Sequence, residues 1–207
     1  MIALPRNVPE GWVSITLKQI GELTQGGTPD TSNSLYWKGP YPFITGADIK
    51  ELYVKEGRST LSETGFNSSK TERAEAGNVL IVSRTRVGRI GIAATNLAVS
   101  QDVSVLKLKP EYNAKCVALI LLSQSDKLQD AAQGATIKGL TRDYLENIEL
   151  QFPEDLHEQE VLAAKIEKRI NLILKLRVNA EQQLEAINAL AAATLRECFH
   201  FEESTNA

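Results

Sequence analysis

Residues 155–198 contain neither proline nor glycine, and this stretch restricts what the chain can form more than any other feature. Apolar residues recur along it at steps of three and four, which places them on one face of an α-helix. Asp155 and Glu158 have the spacing of a capping box, in which side chains satisfy free N–H groups at a helix start. We therefore predict one continuous helix of about 42 residues, roughly 60 Å long. Its apolar stripe consists of Leu162, Ile166, Ile170, Ile173, Leu176, Ala180, Leu184, Ile187, Ala191 and Leu195.

A helix of this length extends beyond a compact domain of about 150 residues, which is only a few tens of ångströms across. A long uncovered apolar stripe is an aggregation hazard, so we expect a second long helix to pack against it. The alternative is that the helix folds back over its own domain. The side chains expected to form the pairing surface are Leu162, Ile166, Ile170, Ile173, Leu176, Leu184, Ile187 and Leu195.

The residues before Pro153 have a different pattern, in which short apolar runs alternate with Gly, Pro, Asn and Ser. The runs at 42–45, 78–82 and 102–108 predict strands, and the last alternates polar and apolar residues like a half-buried strand. Residues 115–132 and 141–147 predict helices. We expect an α+β fold, with an irregular mixed sheet in a domain over residues 1–154. We also predict a coiled-coil-forming helix over residues 155–199 and a flexible tail over residues 200–207.

Net charge, the lengths of the apolar runs and the cysteine content restrict the class of protein to which this chain can belong. Net charge is −3, which argues against a protein that coats nucleic acid, although residues 81–92 carry three arginines and no acidic residue. Such a local basic face is typical of a site-specific binder. No signal-peptide pattern or membrane-length apolar run is present in the sequence, so we expect a cytoplasmic protein. Cys116 and Cys198 are expected to be reduced rather than joined in a disulfide.

Sequence signatures of enzymes are missing. The chain has no phosphate-binding Gly-rich loop and no paired-cysteine metal spacing, and its two histidines, His157 and His200, lie outside the predicted globular part. There is also no Asn/Asp-Pro-Pro-Tyr/Phe motif of the kind that holds the target base in amino-methyltransferases. We therefore predict a non-catalytic protein that needs no cofactor and no metal.

A succession of polar loop motifs carries the functional information. In order they are Gly-Gly-Thr-Pro at 26–29, Tyr-Trp-Lys-Gly at 36–39, Pro-Phe-Ile-Thr-Gly-Ala-Asp at 42–48, Gly-Ala-Thr-Ile-Lys-Gly-Leu at 134–140, and Ile-Glu-Leu-Gln-Phe-Pro at 148–153 followed by Glu158-Gln159. The first is interpreted as a tight turn with free backbone N–H groups. Each motif alone is weak. Their order, leading directly into a long helix, resembles the specificity subunit of Type I restriction-modification enzymes over residues 10–199.

The resemblance implies a function and partners. Subunits of that family have two target-recognition domains and two antiparallel helical spacers, and each domain reads half of an interrupted DNA site. They have no catalytic activity and direct methylation and restriction subunits to the site. This sequence resembles a half-subunit, either natural or a fragment, with one recognition domain and one helix. A two-fold dimer through antiparallel helices would read an inverted repeat with a non-specific gap.

Candidate DNA contacts lie in the loops. Arginine pairs with guanine, and Asn or Gln with adenine. Arg84 and Arg86 alternate after an apolar strand, so we expect both on one face, with Arg89 in the turn that follows; structural ion pairing is the alternative for all three. Tyr36 and Trp37 are interpreted as core or loop anchors. The remaining candidates are Gln101, Lys138, Thr136, Lys38, Thr28, Thr45 and Ser83.

Two other functions remain open at this point. A coiled-coil adaptor that binds protein rather than DNA fits the net negative charge, but it leaves the arginine cluster unexplained. The recognition part of a self-contained methyltransferase would need a cofactor fold of about 150 further residues.

Overall fold

The computed structural model describes residues 8–69, 71–133 and 139–199. They form two compact units, one ending at Ala163 and the other beginning at Ala164. The strands are β1 (Trp12–Thr16), β2 (Gly21–Gln25), β3 (Trp37–Ile44), β4 (Tyr53–Val54), β5 (Ser59–Leu61), β6 (Glu72–Ala74), β7 (Val79–Val82), β8 (Ile90–Ala93), β9 (Leu97–Val99), β10 (Val103–Leu108) and β11 (Glu149–Pro153). The helices are α1 (Leu17–Ile20), α2 (Glu63–Asn67), α3 (Ala114–Ser123), α4 (Ser125–Gln133), α5 (Arg142–Glu146) and α6 (Leu156–Phe199), with a 3₁₀ turn at Ser34–Tyr36.

In the described residues, the first unit contains three sheets, and the two larger ones mix parallel and antiparallel strands. The largest has the strand order β2-β10-β7-β8-β4, the second has β5-β3-β9-β6, and the third pairs β1 with β11. Strands β3 and β9 run parallel, as do β4 and β8, while the other pairs are antiparallel. In the β1–β11 pair Ile15 lies opposite Leu150, which joins the beginning of this unit to its end. The predicted α+β class with an irregular mixed sheet is confirmed.

The five-stranded sheet forms the middle layer of the core. Along β7, Val79 and Ile81 pack in a cluster with residues of α1 and α3. Leu80 and Val82 face the other way, into a cluster that includes Ile44 of the second sheet. This arrangement explains why β7 is an uninterrupted apolar run, since a strand covered on both faces has no position for a polar side chain.

The polar–apolar alternation of residues 102–108 predicts a half-buried strand, and this detail is wrong. Both faces of β10 are buried, because the strand lies between β2 and β7 in the middle layer. Ser104, the expected solvent-facing residue, is 3% exposed. Its hydroxyl donates a hydrogen bond to the Ser83 hydroxyl at 3.4 Å, which satisfies the buried polar group.

The helix predicted for residues 115–132 is two helices. The first, α3, begins after Asn113, whose side chain accepts a hydrogen bond from the Cys116 N–H, and ends at Ser123. The Gln124 N–H donates to the Leu121 carbonyl three residues back, at 3.0 Å, which ends the regular pattern. Helix α4 then begins at Ser125, whose hydroxyl donates to the Gly88 carbonyl oxygen at 2.9 Å. The break between α3 and α4 thus coincides with a tertiary contact to Gly88. Helical periodicity in the sequence cannot predict such a contact. The short helix predicted for residues 141–147 is present as α5.

The predicted long helix is confirmed as α6. The Asp155 carboxylate accepts a hydrogen bond from the Glu158 N–H at 2.9 Å, as the capping spacing predicts. From Ala164 onward the helix forms the second unit, in which most stripe residues are exposed; Ile173 and Ile187 are each 64% exposed. Leu172, Leu174, Val178 and Leu190 are exposed as well, so the apolar surface is wider than the single stripe. Among the described residues, no helix combines the length and apolar character of a membrane span. The predicted tail at 200–207 lies outside the described residues.

Candidate nucleic-acid interface

A surface cleft of about 440 Å³ lies where the second sheet meets the loops that precede β10. Three of the residues proposed from sequence, Thr28, Thr45 and Gln101, line it together although they lie far apart in the chain. The full lining is Thr28, Thr31, Trp37, Phe43, Thr45, Asp48, Arg58, Ser59, Ser100, Gln101 and Asp102. Hydroxyl, amide, guanidinium and carboxylate groups thus surround two aromatic rings. This set of donors and acceptors is suited to reading polar edges of a ligand.

The Gly-Gly-Thr-Pro turn is held against the strands beside the cleft. The sequence predicts free backbone N–H groups in this turn, and that prediction is wrong for the two glycines. Gly26 donates to the Val103 carbonyl and Gly27 to the Val99 carbonyl, each at 3.2 Å. A Cβ at position 26 would overlap the carbonyl oxygen of Val99, so only glycine fits this close backbone approach. The glycines therefore position Thr28 at the cleft instead of offering amides to a phosphate.

Thr28 and Gln101 form a pair across the cleft wall. The Thr28 hydroxyl donates a hydrogen bond to the Gln101 side-chain oxygen. Gln25 donates from its side-chain amide to the Gln101 backbone carbonyl at 2.8 Å, which holds the loop before β10. The side-chain oxygen is thus engaged within the protein, and Gln101 is an exposed residue of the cleft lining.

A closed turn at Thr45 and Asp48 forms another part of the wall. One Asp48 carboxylate oxygen accepts hydrogen bonds from the Thr45 N–H at 2.9 Å and the Thr45 hydroxyl at 2.6 Å. The other carboxylate oxygen accepts from Arg58 Nε at 2.7 Å. Burial by itself would raise the pKa of Asp48, but the hydrogen bonds from Thr45 and Arg58 outweigh it and hold the pKa below its usual range. The carboxylate is therefore an anion at neutral pH.

Arg89 supports this turn from inside the domain. The side chain is half-buried, and its Nη1 donates to the backbone carbonyls of Ile49 at 3.2 Å and Ala47 at 3.5 Å. Arg89 was proposed from sequence as a DNA contact with structural pairing as the alternative. Its guanidinium holds the turn that carries Asp48, which is a structural role of the kind that the sequence left open for this residue.

Arg84 and Arg86 are both exposed, but they do not alternate along an extended strand as the sequence predicts. Strand β7 ends at Val82, and the chain then turns about Thr85, whose φ is +62°. The Arg86 N–H donates to the Arg84 carbonyl at 2.7 Å, which closes a three-residue turn. The turn lies beside the cleft, because the Thr85 hydroxyl donates to the Asp102 carboxylate at 3.3 Å. In the part of the chain that the structure describes, neither guanidinium has an ion-pair partner, so both remain able to meet an anion.

The other sequence candidates occupy varied positions. The side chain of Ser83 is only 1% exposed, and its backbone bonds to Asp102 and Leu140, so this residue joins three loops rather than facing a ligand. Lys38 is exposed at the irregular beginning of β3, with a φ of +64°. Thr136 and Lys138 lie outside the described residues.

Among the cleft residues that the sequence did not mark as a site, Asp48 and Arg58 form an ion pair. Asp48 belongs to a motif that carried the family resemblance, but nothing in the sequence marked it as a site residue. Arg58 stands in a loop between two short strands, a position without any motif. Trp37 lies in the cleft as a loop anchor, since its Nε1 donates to the Asp30 carbonyl at 3.3 Å and its ring meets Phe43 edge to face at 5.4 Å. A search of the described residues finds no group of His, Cys, Asp or Glu that could hold a metal ion.

The chain belongs to the Type I restriction modification DNA specificity domain family, which its sequence matches over residues 9–186. Among curated proteins, it is 25% identical over 197 residues to the specificity subunit of the Type I restriction enzyme MjaIX from Methanocaldococcus jannaschii, covering 93% of this chain and 44% of that subunit. It is 24% identical over 132 residues to the HindI specificity subunit from Haemophilus influenzae, covering 62% of this chain and 29% of that subunit.

Solved structures show the same fold. A chain in a structure concerned with complex assembly and conformational transition of the type I R-M system matches with a TM-score of 0.73 at 22% identity, over 92% of this chain and 46% of that one. The HsdS subunit from Thermoanaerobacter tengcongensis matches with a TM-score of 0.67 at 20% identity, over 83% and 40%. This chain therefore spans less than half the length of the relatives it matches.

Proposed function

We propose that this chain recognises a specific double-stranded DNA sequence and directs the methylation and restriction subunits of a Type I system to it. The observation that carries the proposal is the cleft, which gathers Thr28, Thr45 and Gln101 beside the exposed turn of Arg84 and Arg86. Polar groups in such a cleft suit base edges, and exposed arginines beside it suit phosphates. Chemistry on the DNA would belong to the partner subunits.

The exposed stripe of α6 supports a second part of the proposal, that the chain pairs through this helix with a second copy of itself. A two-fold, antiparallel pair would carry one recognition domain towards each end. The DNA site would then be an inverted repeat with an unread gap, because the symmetry of the protein is repeated in its half-sites.

The test is selection of bound sequences from a random double-stranded DNA library with the purified chain, followed by affinity measurements on the enriched site at several salt concentrations. We expect an enriched, interrupted palindrome. Arg84→Ala and Arg86→Ala should weaken binding to all sequences and reduce the slope of log affinity against log salt by about one each, as for lost phosphate contacts.

Arg142→Ala provides the matched control, because Arg142 is ion-paired with Glu146 on α5 and does not line the cleft. Its affinity and salt slope should equal those of the unaltered chain. A library in which no sequence is enriched would contradict DNA recognition and favour an adaptor that binds protein.

A further inference from the structure

Arg58 is the most exposed charged group of the cleft that is also fixed in position. Its side chain is 70% exposed, whereas the Asp48 side chain that binds it is 5% exposed. A pair with both members in solvent would hold the guanidinium only loosely, since exposed ion pairs contribute about 0–1 kcal/mol and are easily screened. Here the carboxylate is itself anchored by two hydrogen bonds from Thr45, so it is a rigid support.

The hydrogen bonds use one edge of the guanidinium and leave another open. Nε donates to Asp48 at 2.7 Å, and Nη2 donates to the Thr45 hydroxyl at 3.3 Å. These two atoms form one side of the planar fork. Across the described part of the chain, Nη1 has no hydrogen-bond partner, so the end edge formed by Nη1 and the second hydrogen of Nη2 can still donate two parallel bonds.

The backbone fixes where this open edge lies. Gly57 approaches β3 so closely that a Cβ there would overlap the Phe43 carbonyl oxygen. Ser59, on the other side of Arg58, is paired with Phe43 in the sheet. Arg89 donates hydrogen bonds to the carbonyls of the two residues on either side of Asp48 in the chain. The backbone on both sides of Arg58 and the turn that carries Asp48 are thus held in place.

We infer that Arg58 reads a guanine of the DNA target through the major-groove edge of that base, and that Asp48 is its positioning residue. This inference rests on the proposed DNA recognition, and it specifies the base that is read and the residue that reads it. Guanine offers two acceptors, O6 and N7, at the spacing of a guanidinium edge, and this bidentate pairing is the commonest specific contact between arginine and DNA. A guanidinium already held in place loses little further freedom on binding, which favours its use for discrimination.

The experiment uses the unaltered chain, Arg58→Lys and Arg58→Ala on the sequence enriched from the random library. Each guanine of the half-site is replaced in turn by 7-deazaguanine, which lacks the N7 acceptor. At one position the replacement should weaken binding of the unaltered chain by between about 5- and 100-fold. The same replacement should cost Arg58→Ala nothing further, because the contact is already lost. It should cost Arg58→Lys less than the unaltered chain, because an ammonium can still donate to N7 but lacks the planar fork that Asp48 holds.

Asp48→Asn tests the positioning role. It should reduce discrimination at that same guanine, because the guanidinium loses its anionic support, whereas general destabilisation would lower the affinity for all sequences alike. Arg142→Lys is the control and should behave like the unaltered chain. Thermal unfolding of each variant establishes whether it is folded. If Asp48→Asn does not fold, the two Arg58 variants still test the proposal.

The outcomes separate the two proposals. If the Arg58 variants keep the full cost of 7-deazaguanine at every position, or weaken binding to all sequences equally, Arg58 does not read guanine although the chain still recognises DNA. If the unaltered chain enriches no sequence, the proposed function itself fails, and the role of Arg58 fails with it.

Discussion

The side-chain oxygen of Gln159, in the first turns of α6, accepts a hydrogen bond from the backbone N–H of Asn113 at 2.8 Å. Gln159 is fully buried, and its amide nitrogen donates to the carbonyls of Pro153 at 3.1 Å and of Glu111 at 3.5 Å. One uncharged side chain therefore joins the beginning of α6 to the loop that caps α3. Since every polar atom of this buried amide is paired, the residue stabilises the first unit instead of straining it.

Replacing Gln159 by alanine should lower the free energy of unfolding by about 1–3 kcal/mol, because the half-buried Asn113 N–H and the buried Pro153 carbonyl lose their partner. Denaturant unfolding followed by circular dichroism measures the change. The control is Gln182→Ala, at an exposed position of the same helix, which should stay within about 0.5 kcal/mol. Equal effects of the two substitutions would show that the buried amide does not stabilise the fold.

The proposed pairing of α6 predicts that Ile173→Glu and Ile187→Glu each convert a dimer into a monomer, because a charge would be buried in the apolar interface. Light scattering during size-exclusion chromatography gives the mass directly. Gln182→Glu adds the same charge roughly half a turn around the helix from the stripe and should leave the dimer intact. A monomeric unaltered chain, or dimeric glutamate variants, would contradict pairing through the stripe.

Gly26→Ala should destabilise the first unit by about 1–3 kcal/mol, because the added Cβ overlaps the Val99 carbonyl and forces β2 away from its neighbours. DNA binding by the folded fraction should also weaken, since the turn that carries Thr28 moves. Gly77→Ala is a useful comparison: φ there is +92°, but nothing lies within 4 Å of the added Cβ. It should destabilise the fold through backbone strain while leaving DNA affinity of the folded protein unchanged.

Cys116 should make stability fall at alkaline pH. The residue is fully buried on α3, and burial raises the pKa of its thiol to about 11. An unfolded thiol has a pKa of about 8.5. Between these values the folded state binds more protons than the unfolded state, so the free energy of unfolding must decrease as pH rises through that window.

Denaturant unfolding from pH 8 to 11 measures this slope. The Cys116→Ala variant has no thiol to titrate and should show a shallower decrease, while other groups that titrate in this range affect both proteins alike. Identical slopes would mean that the folded and unfolded thiols ionise at the same pH.

Local patterns predicted some parts of this fold well and others poorly. The capped helix, α5, β7 and β10 follow from periodicity and from capping residues next to them in the chain, which act over a few residues. The break at Gln124 coincides with a contact between Ser125 and Gly88, and Ser104 is buried because β10 lies in the middle layer. Both features involve residues that are distant in sequence. The same limit applies to the cleft. Thr28, Thr45 and Gln101 could be named from their loops, but Arg58 becomes notable only because Asp48 lies against its guanidinium.

By itself, the sequence determined the α+β class, the long amphipathic helix and the family resemblance, because these depend on residue type and spacing along the chain. Only the tertiary structure decided which arginines are free and which support a turn. Arg84, Arg86 and Arg89 look alike in sequence, yet Arg89 meets backbone carbonyls of the turn around Asp48 while the other two face solvent. The reason is physical: the availability of a guanidinium depends on which acceptors the folded chain brings within hydrogen-bond distance, and pairing between distant strands sets those distances.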